Sequence, residues 1–413
     1  MAGAGAGALG RAGAALRARA GGVKGLRGSS AGAAGAAAAK PEPKAAPEAA
    51  AAAGWGAAGM AWSRDAQVRT DWALEEVAEV FHSPLLELVH RAANVHRTFH
   101  DPRQVQKCTL LSIKTGGCQE DCGYCSQSAR RSKETGVKAT PLMQEEPVLE
   151  AALAAKAAGS TRFCMGTAWR GPEQVGPRQF QRILRMVGKI RGMGLEVCTT
   201  LGMLNAEQAL QLREAGLTAY NHNLDTSREH YSKVTSTRNY DDRLATLEKV
   251  RDAGISVCCG GILGLGEGEA DRVSLLHTLC TQPEHPESVP VNALVPVKGT
   301  PMENNTPPDT LEMVRYIAAA RILMPGSVIR LSAGRLHLSV SDQAFCFYAG
   351  ANSIFTGERL LTTANNDEDE DEEMFQQLGL EGRPAFVPYS NSGRAVAEEQ
   401  MRAKAHRLTL PQQ

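Results

Sequence analysis

Short apolar runs bounded by Gly, Pro and polar residues recur along most of the chain, with helical periodicity between them. Residues 109–113, 161–166, 195–202, 219–225, 255–262, 288–295, 328–332 and 344–350 each have the length and composition of a strand. Residues 148–158 and 183–193 repeat apolar positions at helical spacing. Strands alternating with helices predict parallel βαβ units, and eight strands predict a closed (β/α)8 TIM-type barrel rather than an open sheet. Ahead of the first strand, Asp71 is expected to cap a helix with Leu74, Val77, Ala78 and Phe81 on one face. A second helix follows Ser83-Pro84, with Leu85, Leu88 and Val89 apolar. The fold class is therefore α/β, a barrel with an N-terminal helical extension. His96 and His100 stand four apart without a third ligand and read as a solvated helix face.

Barrel strands are ordinarily filled with Val, Ile and Leu, yet these carry Cys164, Cys198, Asn223, Cys258, Asn292 and Arg330. Each alone is bland, since a free cysteine is commonly a small buried hydrophobe. Together they are costly unless they meet a ligand or a metal, and they predict a polar, metal-bearing lumen. The first strand leads into Cys118-Gln-Glu-Asp-Cys-Gly-Tyr-Cys125, three cysteines at C-x3-C-x2-C spacing. Three thiolates from one loop can hold a four-iron cubane and leave one iron open to a small molecule. On spacing alone structural zinc stays an alternative, although no fourth Cys or His stands at zinc spacing. A disulfide framework would need an oxidising compartment and usually a small domain.

Composition changes the picture at the chain's two ends. No apolar run approaches the ~18 residues of a membrane span. Lys+Arg and Asp+Glu balance at 45 each, but residues 1–64 hold eight of the basic residues and only Glu42 and Glu48 as acids. The remainder is mildly acidic, which argues against nucleic-acid binding. Residues 1–64 are Ala/Gly-rich, arginine-bearing and acid-free before Glu42. Such a segment cannot build a packed core and reads as a transit peptide, mitochondrial first and plastid second. Residues 65–384 are read as the barrel domain and 385–413 as a tail. The run Asn366-Asp-Glu-Asp-Glu-Asp-Glu-Glu373 is read as a solvated acidic loop.

The octapeptide 118–125, with Tyr124 before its third cysteine, is similar to the radical S-adenosylmethionine (SAM) signature. Further stretches extend the likeness: Leu111-Ser-Ile-Lys-Thr-Gly-Gly-Cys118, Arg162-Phe-Cys-Met-Gly166 and Tyr220-Asn-His-Asn-Leu-Asp-Thr-Ser227. Downstream stand Cys258-Cys-Gly-Gly-Ile-Leu-Gly-Leu-Gly-Glu267, Asn292, Val297-Lys-Gly-Thr-Pro301, Arg330-Leu-Ser-Ala-Gly-Arg335 and Ala349-Gly-Ala-Asn-Ser-Ile-Phe355. From about Trp72 to about Pro384 the chain resembles the biotin synthase family, radical SAM enzymes that insert sulfur into dethiobiotin.

The resemblance implies roles residue by residue. Cys118, Cys122 and Cys125 would ligate a [4Fe-4S] cluster that binds SAM beside Tyr124. Cys164, Cys198 and Cys258, with Arg330 as an unusual fourth ligand, would hold a [2Fe-2S] cluster. Arginine at a metal is chemically odd, because its guanidinium is normally protonated and only donates. Asn223, Asp225, Arg243 and Asn292 would contact SAM and dethiobiotin, and Gly264 and Gly266 would let the backbone approach the nucleoside. The family likeness also implies a homodimer, a ferredoxin- or flavodoxin-type reductant and iron–sulfur assembly machinery as partners. Two positions depart from the family pattern: Ser126, where many members carry proline, and Cys259, where serine is common. Cys108, Cys280 and Cys346 are read as unligated thiols. A different radical SAM enzyme would lack the set Cys164, Cys198, Cys258 and Arg330. A non-catalytic iron–sulfur or zinc scaffold would need no strand-end asparagines.

Overall fold

The barrel closes on its first strand. In the computed structural model, which describes residues 65–386, Gln104–Lys114 (β1) pairs in parallel with both Arg162–Thr167 (β2) and Ser353–Thr356 (β9). Between them run Glu196–Thr200 (β3), Ala219–Asn221 (β4), Ser256–Cys258 (β5), Gly261–Leu263 (β6), Ser288–Ala293 (β7) and Val328–Leu331 (β8), every pairing parallel. β5 and β6 are two halves of one strand and both pair with β7, so the barrel has eight positions, as the pattern predicts. The break falls at Gly260, where a Cβ would lie 2.0 Å from the Pro290 carbonyl oxygen. Only glycine permits that approach. The expected transit peptide and nearly all of the tail lie outside the described residues. Among the described residues no helix is long and apolar enough to cross a membrane.

The eighth strand is displaced from its expected place. Residues 344–348 belong to the helix Val340–Tyr348, and the strand follows at Ser353–Thr356. Ser339 caps that helix in a reciprocal box with Asp342, and this start signal outweighs the β-like Phe-Cys-Phe-Tyr run. The first helix, Leu74–Phe81 (α1), is likewise capped at Ala73 rather than Asp71, with the Glu76 carboxylate accepting from the Ala73 amide. Its buried face is Val77, Val80 and Phe81, while Leu74 faces solvent.

His96 and His100 are buried, not solvated. The helix Leu85–Phe99 (α2) packs on Thr310–Leu323, which brings His100 Nε2 within 2.9 Å of Arg321 Nη1. Burial, with Arg321 beside them, drives both imidazoles well below their ordinary pKa of 6.5. The unfolded chain therefore takes up these protons first, and stability is lost as pH falls through about 6.5. The loss should approach about 1.4 kcal/mol per histidine per pH unit below that value. Thermal unfolding followed from pH 8 to 5.5 should show this slope, and a His100→Gln variant should flatten it. A slope identical in both proteins would contradict the burial argument.

The acidic run is a helix as well. Glu368–Leu378 is capped by Asp367, whose side chain accepts from Glu370 N, and four acids occupy its first turn, where the helix dipole favours them. Asp371 is buried against Arg335, and Glu372 pairs with Lys107 at 3.0 Å. At the N-terminal end of the barrel, Arg162 bridges Glu196 and Glu287, and Gln106 donates to Glu196. This buried ionic plug closes the bottom and leaves the strands' C-terminal ends as the way in.

Candidate active site

A cavity of about 330 Å³ opens among the C-terminal ends of the strands. One wall is the cysteine loop, with Cys118, Cys122, Tyr124 and Cys125; the floor carries Cys164, Cys198, Cys258 and Arg330. Asn223, Asp225, Arg243 and Asn292 also line it. Gly264 and Gly266 do not reach it. Both take positive φ in the turn after β6, where Gly264 N donates to Glu267, and Ile262 faces the cavity instead.

The cysteine loop is held at both ends and in the middle. Cys118 N donates to Gln127 O and Ala129 N to Cys118 O, while Gly123 is pinned between Val234 O and Met302 N. Asp121 accepts from Thr235 Oγ1, Ser236 N and Thr237 Oγ1. Burial works against its charge, but the Ser236 and Thr235 hydrogen bonds hold the carboxyl far below its usual range. Burial raises the Cys118 and Cys122 thiols and, with Cys122 beside it, pushes Cys125 up to about 12. Arg238 works the other way on Cys122, donating from Nη2 to Sγ at 3.2 Å.

The floor follows from strand register. Cys164 lies opposite Cys198 on the neighbouring strand. The Cys164 thiol and burial raise the Cys198 thiol well above its ordinary range while Cys258 works the other way, and the Cys198 thiol and burial raise Cys258. Cys258 faces this cluster; Cys259 points to the outer core among the helices, as alternation along a strand requires. Arg330 donates to Ser353 Oγ at 2.9 Å and Gln106 Oε1 at 3.2 Å, with Nη1 3.7 Å from Cys258 Sγ. No carboxylate touches it among the described residues. All ten cysteines are free thiols. Among the described residues no three His, Cys, Asp or Glu side chains converge tightly enough for a single ion. Two sets of three unpaired thiols, spread across one cavity, fit polynuclear iron–sulfur clusters in their donor chemistry.

The polar wall obeys the strand period: Asn221, Asn223 and Asp225 all turn inward from β4 and its extension. Asp225 sits at φ +68°, a conformation disfavoured without glycine, and is held there by its ion pair to Arg243. Arg243 also donates to Tyr231 Oη at 2.9 Å. Asn223 Oδ1 accepts from Asn221 and Gly260 N, and Asn292 bridges Gly261 O and Ala333 N. Sequence reasoning missed Arg238 and Asn221. Asn221 could have been found by counting two back from Asn223. Cys108 joins the buried thiol cluster on the floor, a meeting set by barrel closure that β1 alone does not announce.

Residues 112–279 match the Radical SAM superfamily model, and residues 290–381 match the Biotin and Thiamin Synthesis associated domain. The chain is 62% identical over 317 residues to the mitochondrial biotin synthase of Arabidopsis thaliana, covering 76% of this chain and 83% of that one. It is 56% identical over 322 residues to the biotin synthase of Schizosaccharomyces pombe (77% and 88% covered). Against the mitochondrial biotin synthase of Emericella nidulans the identity is 52% over 339 residues (82% and 85% covered). Among solved structures, methylornithine synthase (PylB) superposes with a TM-score of 0.65 at 19% identity over 78% of this chain and 97% of its own, a likeness of fold.

Proposed function

The chain belongs to the biotin synthase family, and from that premise we propose that it inserts sulfur into dethiobiotin to form biotin, consuming SAM. The observation that carries this reading is the facing of two thiol sets across one cavity. Cys118, Cys122 and Cys125 would hold a [4Fe-4S] cluster; Cys164, Cys198 and Cys258 with Arg330 would hold a [2Fe-2S] cluster. When bound, these groups supply the electron that cleaves SAM and the sulfide that enters the product.

The chain's own residues bind, orient and exclude. Dethiobiotin offers unactivated C–H bonds that no acid–base side chain breaks near neutral pH, so the protein contributes geometry and dryness rather than proton transfer. Arg243, fixed by Asp225 and Tyr231, keeps Nη1 for the methionyl carboxylate. Asp225 accepts from the ribose hydroxyls. Asn223, its carbonyl oxygen already taken by Asn221 and Gly260, presents its amide N–H to the ureido carbonyl, and Asn292 lies across the same space. The hairpin Arg359–Leu360 and Thr363–Ala364 lies over the cavity and restricts water. The chemistry requires a low-potential one-electron donor of ferredoxin or flavodoxin type. After anaerobic reconstitution with iron and sulfide, the protein should form biotin and 5′-deoxyadenosine from dethiobiotin and SAM. 5′-Deoxyadenosine without biotin would assign it another radical reaction.

Residues 1–64 are assigned as a mitochondrial transit peptide, on their acid-poor, arginine-bearing composition and on the mitochondrial names of two relatives. Residues 1–70 fused to a fluorescent protein should enter the matrix and be trimmed. A cytosolic, full-length fusion would remove this assignment.

A further inference from the structure

Of the two arginines on the cysteine-loop side of the cavity, the roles above use only Arg243. Arg238 has a different surrounding. Its Nη2 donates to Cys122 Sγ at 3.2 Å, its Nε donates to Tyr231 Oη at 3.0 Å, and Glu120 lies 3.9 Å from Nη1. The side chain is only 7% exposed. The three residues before it, Thr235, Ser236 and Thr237, hold Asp121 of the same cysteine loop, and Thr237 also meets Glu120. Both ends of the Arg238–Cys122 contact therefore belong to one hydrogen-bonded unit.

We propose that Arg238 is a positioning residue that raises the reduction potential of the iron–sulfur group on Cys122 by a charge-assisted hydrogen bond to its sulfur. The proposal rests on the assignment of Cys118, Cys122 and Cys125 as ligands. Reduction adds negative charge that spreads onto the thiolate sulfurs. A donor with permanent positive charge stabilises the reduced form more than the oxidised form. Burial leaves the contact little screened by salt. The fork also fixes the sulfur's direction, as outer partners of metal ligands do. Arg243 is committed to Asp225, so the two arginines divide the work between sulfur and substrate.

The test compares the anaerobically reconstituted full chain with Arg238→Gln and Arg238→Lys. The midpoint potential of the SAM-binding cluster is read by electron paramagnetic resonance during a redox titration. SAM affinity and iron content are measured alongside. In Arg238→Gln the potential should fall, 5′-deoxyadenosine formation should slow on the order of tenfold, and SAM affinity and iron should stay unchanged. Arg238→Lys, which keeps charge but loses the planar fork, should lie between. Equal potentials in all three proteins would overturn the proposal, as would weaker SAM binding at unchanged potential. Should Arg238→Gln not load iron, the lysine variant decides alone: a lowered potential supports the proposal and an unchanged one overturns it. Failure of the unaltered chain to take up iron at Cys118–Cys125 would instead sink the ligand assignment.

Discussion

Alanine at any one of Cys118, Cys122 or Cys125 is expected to reduce 5′-deoxyadenosine formation to background while leaving the fold intact. In the proposed assignment three thiolates would leave one iron of a four-iron cluster open, and a further loss would leave two irons without protein ligands. The fold should survive because the loop is tied elsewhere, by Gln127, Val234 and the Thr235–Thr237 bonds to Asp121. The second thiol set lies on different strands, so its visible absorbance should persist in each variant. The measurements are product analysis with dithionite as reductant, and absorbance after reconstitution. SAM cleavage retained in all three variants would refute the role given to this loop.

The second large effect separates two adjacent thiols. Cys258→Ser should lose the [2Fe-2S] absorbance and all biotin formation, yet still cleave SAM. Cys259→Ser should keep cluster and product, at a stability cost of roughly 1 kcal/mol for a buried hydroxyl. The difference is one of direction. Cys258 turns in toward Cys198 and Arg330, whereas Cys259 packs in the outer core. Iron and sulfide counts on the two variants decide it, and a reversed result would mean that the strand's inward face is the other one.

The barrel itself was legible because each strand is short, apolar and bounded by turn residues. The lumen was legible because thiols and asparagines are out of place in such strands. What failed at the two histidines and the acidic run shares one cause: tertiary packing decides burial, and a local pattern does not record it. His96 and His100 look solvated in a polar helix until Thr310–Leu323 covers them. Asp371 looks solvated in an acidic run until Arg335 meets it from another loop. The run at 344–348 looks like a strand until the Ser339 box starts a helix ahead of it. Arg238 carries no signal at all in sequence, since its contact with Cys122 spans 116 positions.

In the proposed function one cavity brings a SAM-cleaving cluster and a sulfur-donating cluster onto the same substrate. The most direct measurement loads the protein with sulfide of a heavy isotope, removes all free sulfide, and gives it dethiobiotin and SAM under reductant. Mass spectrometry should find the heavy isotope in the first biotin formed, in an amount bounded by the Cys164–Cys198–Cys258 site and lost in Cys258→Ser. Biotin carrying only light sulfur, or heavy-labelled biotin from Cys258→Ser, would contradict the account.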